Sequence, residues 1–320
     1  MPKFARLLAA TVCCLITALT AQAQYPVKPI RLIVPFAPGG PSDLLGRLVG
    51  QKLSEAWGQQ VLIDNRTGAN GIVGVDLAAK SAPDGYTLVM GTNGTHGINA
   101  ALFPKLPYNT VSDFAPIARF GVAPYVLVAH PSLPVRSAKD LIQLAKARPG
   151  DIACGYGGSP TQLSIELFKS MAHVDLLPVP YKGNAPAVTA VLSGQVSLVF
   201  GGIAQSASHI KAGKLRAIGV TSMRRSPALP QVATINESGL PGFEVATWYG
   251  MLAPGATPRA VVERLNAEVV RILQSPEVRD RLLGQAFEVP ADTPDQFAAI
   301  IKSELARWAK VVKATGARGG

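Results

Sequence analysis

Two stretches of this 320-residue sequence combine the residue types and spacing of an anion site. The first is Phe36-Ala37-Pro38-Gly39-Gly40-Pro41-Ser42-Asp43; the second is Gly155-Tyr156-Gly157-Gly158-Ser159-Pro160-Thr161, with Ser164 a turn further on. Paired glycines let the backbone turn sharply and approach a ligand closely. Each stretch runs into an apolar-periodic segment, Leu44 to Trp57 after the first and Leu163 to Met171 after the second. A helix start presents unpaired N–H groups and the positive end of the helix dipole, which suits a carboxylate. Hydroxyls from Ser42, Ser159, Thr161 and Ser164 add donors, so no arginine is required. An ordinary tight strand-to-helix turn would carry the same glycines, with Ser42 and Asp43 as plain helix caps.

Signatures of catalysis are missing. There is no G-x-S-x-G, H-E-x-x-H or Walker A pattern. The second glycine stretch starts like a dinucleotide fingerprint, but Pro160 stands where the last glycine belongs. His130, His173 and His209 are scattered without metal-ligand spacing, while His96 sits in a glycine- and threonine-rich loop and is a pocket candidate. No catalytic residue, metal or cofactor is therefore expected.

The segments that must position these loops follow a strand, small-residue loop, helix rhythm. Apolar runs at 30–34, 60–64 and 86–90 read as strands of a parallel sheet, with helices at 42–57, near Val73 to Ala78 and near Ile98 to Phe103. In such sheets, ligands sit beyond the carboxyl ends of the strands, where the loops lie. The rhythm breaks at 114–120 and 125–130, two extended runs separated by Gly121-Val122-Ala123-Pro124 that read as a crossing between lobes. A second alternating set follows, with strands at 151–154, 177–179, 196–200 and 215–221. An extended run at 243–252 reads as the return crossing, and two amphipathic helices close the chain at 258–273 and 294–315. The near-continuous apolar text of 185–204 is broken by Pro186, Ser193-Gly194-Gln195 and Gly201-Gly202, which favours a buried helix and strand over a membrane span.

Lys3 and Arg6, the apolar run Leu7 to Leu19, and Ala21-Gln22-Ala23 read as a secretory signal peptide cleaved after Ala23. Its removal leaves Cys154 as the remaining cysteine, so no internal disulfide is expected and Cys154 reads as a small core hydrophobe. The formal charge of +11 falls to +9 without Lys3 and Arg6. The basic residues form no long run and are not interleaved with aromatics, which argues against nucleic-acid binding; a diffuse positive field suits acidic solutes or an anionic surface.

Ordered signatures along nearly the whole mature chain resemble the Bug-type solute-binding proteins, the periplasmic receptors of tripartite tricarboxylate transporters. They include Tyr25-Pro26 through Asp43, Val61 through Gly71, Ala82 through Leu88, and Leu106-Pro107-Tyr108 with Asp113-Phe114. They continue at Val179-Pro180-Tyr181-Lys182-Gly183, Gly194-Gln195-Val196, and Gly239 through Phe243 with Trp248-Tyr249-Gly250. The resemblance implies an α/β, type II periplasmic-binding-protein fold with two lobes, a cleft and two crossover segments. Residues 24–123 with 249–320 would form one lobe and 124–248 the other. It implies a monomer that closes on a small organic acid, a mono- or dicarboxylate and possibly aromatic, and passes it to membrane permease subunits.

Contacts carried over by the resemblance are Phe36, Gly39, Gly40, Ser42 and Asp43 in the first loop and Gly157, Ser159, Thr161 and Ser164 in the second. Thr92, Asn93, His96, Tyr181, Gly202 and Ile203 would read the ligand's far end. Ser197 stands where the family usually has Asp, and Gly201-Gly202 where an acid or amide is common. Fewer acids at the cleft argue against an ammonium-bearing ligand and for a simple or aromatic carboxylate. Two rival functions share the same cleft. A sensory receptor for a membrane kinase is indistinguishable by sequence, whereas an exported hydrolase lacks a nucleophile–base pair.

Overall fold

The computed structural model describes residues 25–318; the expected signal peptide and its cleavage point lie outside the described residues. In the first half, β1 (Ile30–Val34) is almost wholly buried and pairs in parallel with β2 (Val61–Asn65) on one side and β3 (Thr87–Thr92) on the other. Helices α1 (Pro41–Trp57) and α2 (Ile72–Ala79) connect them. The helical span expected near Ile98 is a π-helical turn (Gly94–Ile98) running into the short α3 (Asn99–Leu102).

The runs read as separate, at 114–120 and 125–130, form one 16-residue strand, β4 (Phe114–Ala129). Its partner changes at Pro124. Up to Pro124 it pairs with β9 (Ala246–Pro254); from Tyr125 onward it pairs with β7 (Leu198–Gly202) and β8 (Arg216–Val220). Proline has no N–H to give a ladder, so it sits where the ladder changes hands. The sequence break was real, but it marks an exchange of partner within a continuous strand.

The second half holds α4 (Ala138–Ala147), β5 (Ala153–Tyr156), α5 (Ser159–Ala172), β6 (Leu177–Pro180), α6 (Asn184–Leu192) and α7 (Ile203–Lys211). The chain ends in α8 (Arg259–Gln274), α9 (Pro276–Gly284) and α10 (Pro294–Thr315). Helix α9 was not expected from the sequence. The strand order β2-β1-β3-β9-β4-β7-β5-β6, with β8 on β4, contains the same pattern twice. In each half the second strand is outermost, then the first, then the third, then a strand shared with the other half. That repeat is the type II periplasmic-binding-protein arrangement, and β4 and β9 are the two crossovers.

Separate apolar clusters fill the two halves. Leu32, Leu45, Met90, Met251 and Leu265 belong to the first, and Phe168, Phe200, Phe243 and buried Cys154 to the second. Helix α10 serves both. Phe297 and Ile301 pack with Ile33, Val89 and Trp248, while Trp308 and Val312 pack with Ile165 and Phe168.

Candidate ligand site between the lobes

The carboxyl ends of β1, β3, β5 and β7 face one another across a cavity of about 40 Å³. Phe36, Gly40, Pro41 and Ser42 line it from the first loop, and Gly157, Gly158, Pro160 and Thr161 from the second. Asn184 at the start of α6 and Thr92, Tyr125, Thr247 and Tyr249 on the crossing strands complete the lining. Among the described residues no lining side chain is charged. The cavity is small because the halves meet around it. The Ala37 N–H donates to Lys182 O at 3.1 Å, Gln205 Nε2 donates to Gly39 O, and the Ser159 hydroxyl donates to Asn99 Oδ1.

Four helices start at this cleft: α1 after Gly40, α5 after Gly158, α6 after Gly183 and α7 after Gly202. None has a side-chain cap. Two helices starting elsewhere do carry side-chain caps: the Ser137 hydroxyl accepts from the Asp140 N–H at α4, and Thr293 with Gln296 forms a reciprocal capping box on α10; α2, α3, α8 and α9 have none. Glycine at the cap leaves first-turn N–H groups unpaired, and those of α1, α5 and α6 border the cavity. Donors from three helix ends therefore converge where an anion would sit, with the dipoles adding positive potential. Asn184 is not free to join them, because its side chain donates to Phe200 O and accepts from the Gly202 N–H at 2.9 Å each.

The two glycine loops are held by the same device. Asp43, third residue of α1, accepts from the Gly39 N–H four residues back at 2.9 Å; Thr161, third residue of α5, accepts from the Gly157 N–H at 3.0 Å. Asp43 also binds Arg47 Nε and Asn65 Nδ2, and Asn65 ties in Phe36 O. Burial alone would raise the Asp43 carboxyl. The hydrogen bonds from Arg47, Gly39 and Asn65 outweigh it and hold the group below the usual carboxylate range. Asp43 thus shapes the loop and does not point at a ligand. The Ser42 hydroxyl has no protein partner among the described residues and faces the cavity.

Of the residues singled out in the sequence, Phe36, Gly40, Ser42, Thr92, Gly157 and Thr161 line the cavity together. The others lie around it. Gly39 turns the first loop with φ of 81°. Ser159 bonds Asn99, and Ser164 bonds Pro160 O within its own helix. Asn93 reaches Ala246 O; Gly202 caps α7; Ile203 packs with Val126, Val188 and Val220. Tyr181 lines a neighbouring hollow beyond Phe36. His96 is fully buried: the π-helical turn carries it away from the cavity to pack on Phe114, Tyr108 and Trp248. Burial holds its imidazole neutral, with the pKa lowered to about 3.

Ser197 needs a correction. It precedes β7, where its carbonyl accepts from the His130 N–H, at the opposite end of that strand from the cavity. Its lack of charge says nothing about the ligand. Tyr125, Thr247 and Tyr249 were missed, because their β-branched and aromatic text reads only as strand. The one available signal was the alternation that puts Thr247 and Tyr249 on one face.

Two lobes bridged by paired crossing strands around a cavity of free helix ends define a solute-binding protein of the periplasmic-binding-protein class. The model of the tripartite tricarboxylate transporter family receptors matches residues 45–317, and the chain belongs to that family. It is 37% identical to protein BugT of Bordetella pertussis over 306 residues, covering 95% of this chain and 94% of BugT. It superposes on the R. palustris protein solved with adipate with a TM-score of 0.88 at 37% identity, covering 91% of this chain and 98% of that one. MatC from Rhodopseudomonas palustris with bound malate gives a TM-score of 0.86 at 35% identity, covering 90% of this chain and 100% of that one.

Proposed function

We propose that this receptor is exported to the periplasm, binds a small organic carboxylate between its lobes, and delivers it to the permease subunits of a tripartite tricarboxylate transporter. The observation that carries the ligand class is the set of glycine-capped, otherwise uncapped helix starts around an uncharged cavity. The carboxylate lies against the N–H groups of α1 and α5, with the Ser42 hydroxyl as a further donor and Phe36 as the wall; the Thr161 hydroxyl already donates to Gly158 O and holds the second loop. The adipate and malate carried by two relatives support that class. The lobes, 24–123 with 249–320 and 124–248, close by bending at the β4–β9 pair. No helix among the described residues is long and apolar enough to cross a membrane.

A thermal-shift screen of mature protein against mono-, di- and tricarboxylates, with amino acids as comparison, tests the reading. An acid at about 100 times its dissociation constant should stabilise the fold by roughly 2.7 kcal/mol. Stabilisation by amino acids with none by their deaminated analogues would overturn it.

A further inference from the structure

The lining is chemically lopsided. Helix N-termini supply part of it. The rest includes a floor of hydroxyls from three adjacent strands: Thr92 on β3, Tyr125 on β4, and Thr247 and Tyr249 on β9. Thr92 and Tyr249 are register partners. The Tyr125 hydroxyl and Thr247 Oγ1 lie 2.7 Å apart, and Tyr249 lines the cavity with them. All four residues are at least 95% buried. Burial raises both phenols, so the chain of hydroxyls stays protonated and uncharged at any physiological pH.

We propose that this hydroxyl floor is the specificity determinant for the end of the ligand away from the bound carboxylate, and that it selects a neutral oxygen, hydroxyl or carbonyl, over a second carboxylate, an ammonium or a bare methyl. This rests on the carboxylate-receptor reading above. The Tyr125–Thr247 bond spends one of its two O–H groups; the other is a spare donor, and Thr92 and Tyr249 add neutral donors and lone pairs but no charge. One neutral oxygen matches that supply. A second carboxylate brings a second full charge into the cavity, and no lining side chain is basic to offset its desolvation. An ammonium needs acceptors with negative charge, and the floor has none. A methyl leaves the spare hydroxyl unpaired, which a buried site discriminates against strongly.

Titration calorimetry with matched acids tests this. The probes are 4-hydroxybutyrate, succinate and butyrate; 6-hydroxyhexanoate, adipate and hexanoate; and 4-hydroxybenzoate, terephthalate and benzoate. In the set whose length fits, the hydroxy acid should bind at least roughly tenfold tighter than either companion. In Tyr125→Phe that preference over the methyl- or hydrogen-ended acid should collapse. Should Tyr125→Phe fail to fold, Thr247→Val removes the neighbouring hydroxyl at equal volume and should give the same collapse. A diacid binding as tightly as the hydroxy acid, or an undiminished preference in the folded variant, overturns the inference and leaves the carboxylate reading standing. Binding by none of the nine acids overturns both.

Discussion

At the residue scale, Gly40 sets function against stability. A Cβ there would meet only ordinary contacts, Ala37 O at 3.6 Å and Gln205 Nε2 at 3.9 Å, and the backbone φ of −78° suits any residue. Asp is a better N-cap than Gly by a few tenths of a kcal/mol, so Gly40→Asp should keep or slightly raise the melting temperature. Its carboxylate would occupy the anion position, so binding of every carboxylate should vanish in calorimetry while thermal unfolding stays cooperative. His96 makes a separate prediction. Its folded pKa of about 3 lies below the unfolded value of 6.5, so the unfolded chain binds the extra proton between those limits. The stability tied to neutral His96 is present above pH 6.5 and lost as pH falls toward 3, at about 1.4 kcal/mol per pH unit. Denaturant unfolding at pH 7 and pH 5 should show that loss in the wild type and a shallower one in His96→Gln.

At the element scale, the links between the halves come from loops and helix starts. The segment Gly68-Ala69-Asn70-Gly71 has positive φ at all four residues, which turns Asn70 toward α5. Asn70 Nδ2 donates to Gln162 Oε1 at 3.3 Å, and Asn99 donates to Asn70 O while accepting from Ser159. The Asn70–Gln162 and Ser159–Asn99 bonds join the two halves, so under the proposed lobe closure they favour the closed form without touching a ligand. Losing one such bond, worth about 1 kcal/mol, should weaken apparent affinity about fivefold in Asn99→Ala, equally for every ligand. Calorimetry on two ligands of different affinity checks that uniformity. Thr293→Ala gives the opposite pattern. It removes the capping box of α10 and should cost about 1 kcal/mol of stability in denaturant unfolding with no change in affinity.

At the scale of the whole molecule, a formal charge of +11 surrounds a cavity whose lining is uncharged. The field can steer an anion toward the cleft, whereas the proposed site would hold it by short-range N–H and hydroxyl contacts. Raising salt from about 20 to about 500 mM shortens the screening length from roughly 20 Å to under 5 Å. Stopped-flow measurements should then show association slowing several-fold while dissociation changes little. Ion pairs at Arg119–Asp292 and Arg31–Asp64 lie outside the lining, so salt acts on them without altering the site's contacts.

Most strand and helix positions (though not α9), the crossing near Pro124 and both glycine loops were legible in the sequence. Period, β-branching and glycine placement act locally, and local rules are written in adjacent residues. The family signatures added the order of those pieces. Direction was not legible. A loop such as Thr92 to Gly97 names its residues but not which way a π-helical turn aims them, so His96 reads as a ligand contact and lies in an aromatic core. Asp43 and Ser159 read as contacts and serve as a loop brace and an interlobe link, because their partners Asn65 and Asn99 are distant in sequence. Tyr125, Thr247 and Tyr249 converge only through strand register between segments 120 residues apart. Sequence determined that there would be donors for an anion; the pairing of β3, β4 and β9 decided what stands opposite them.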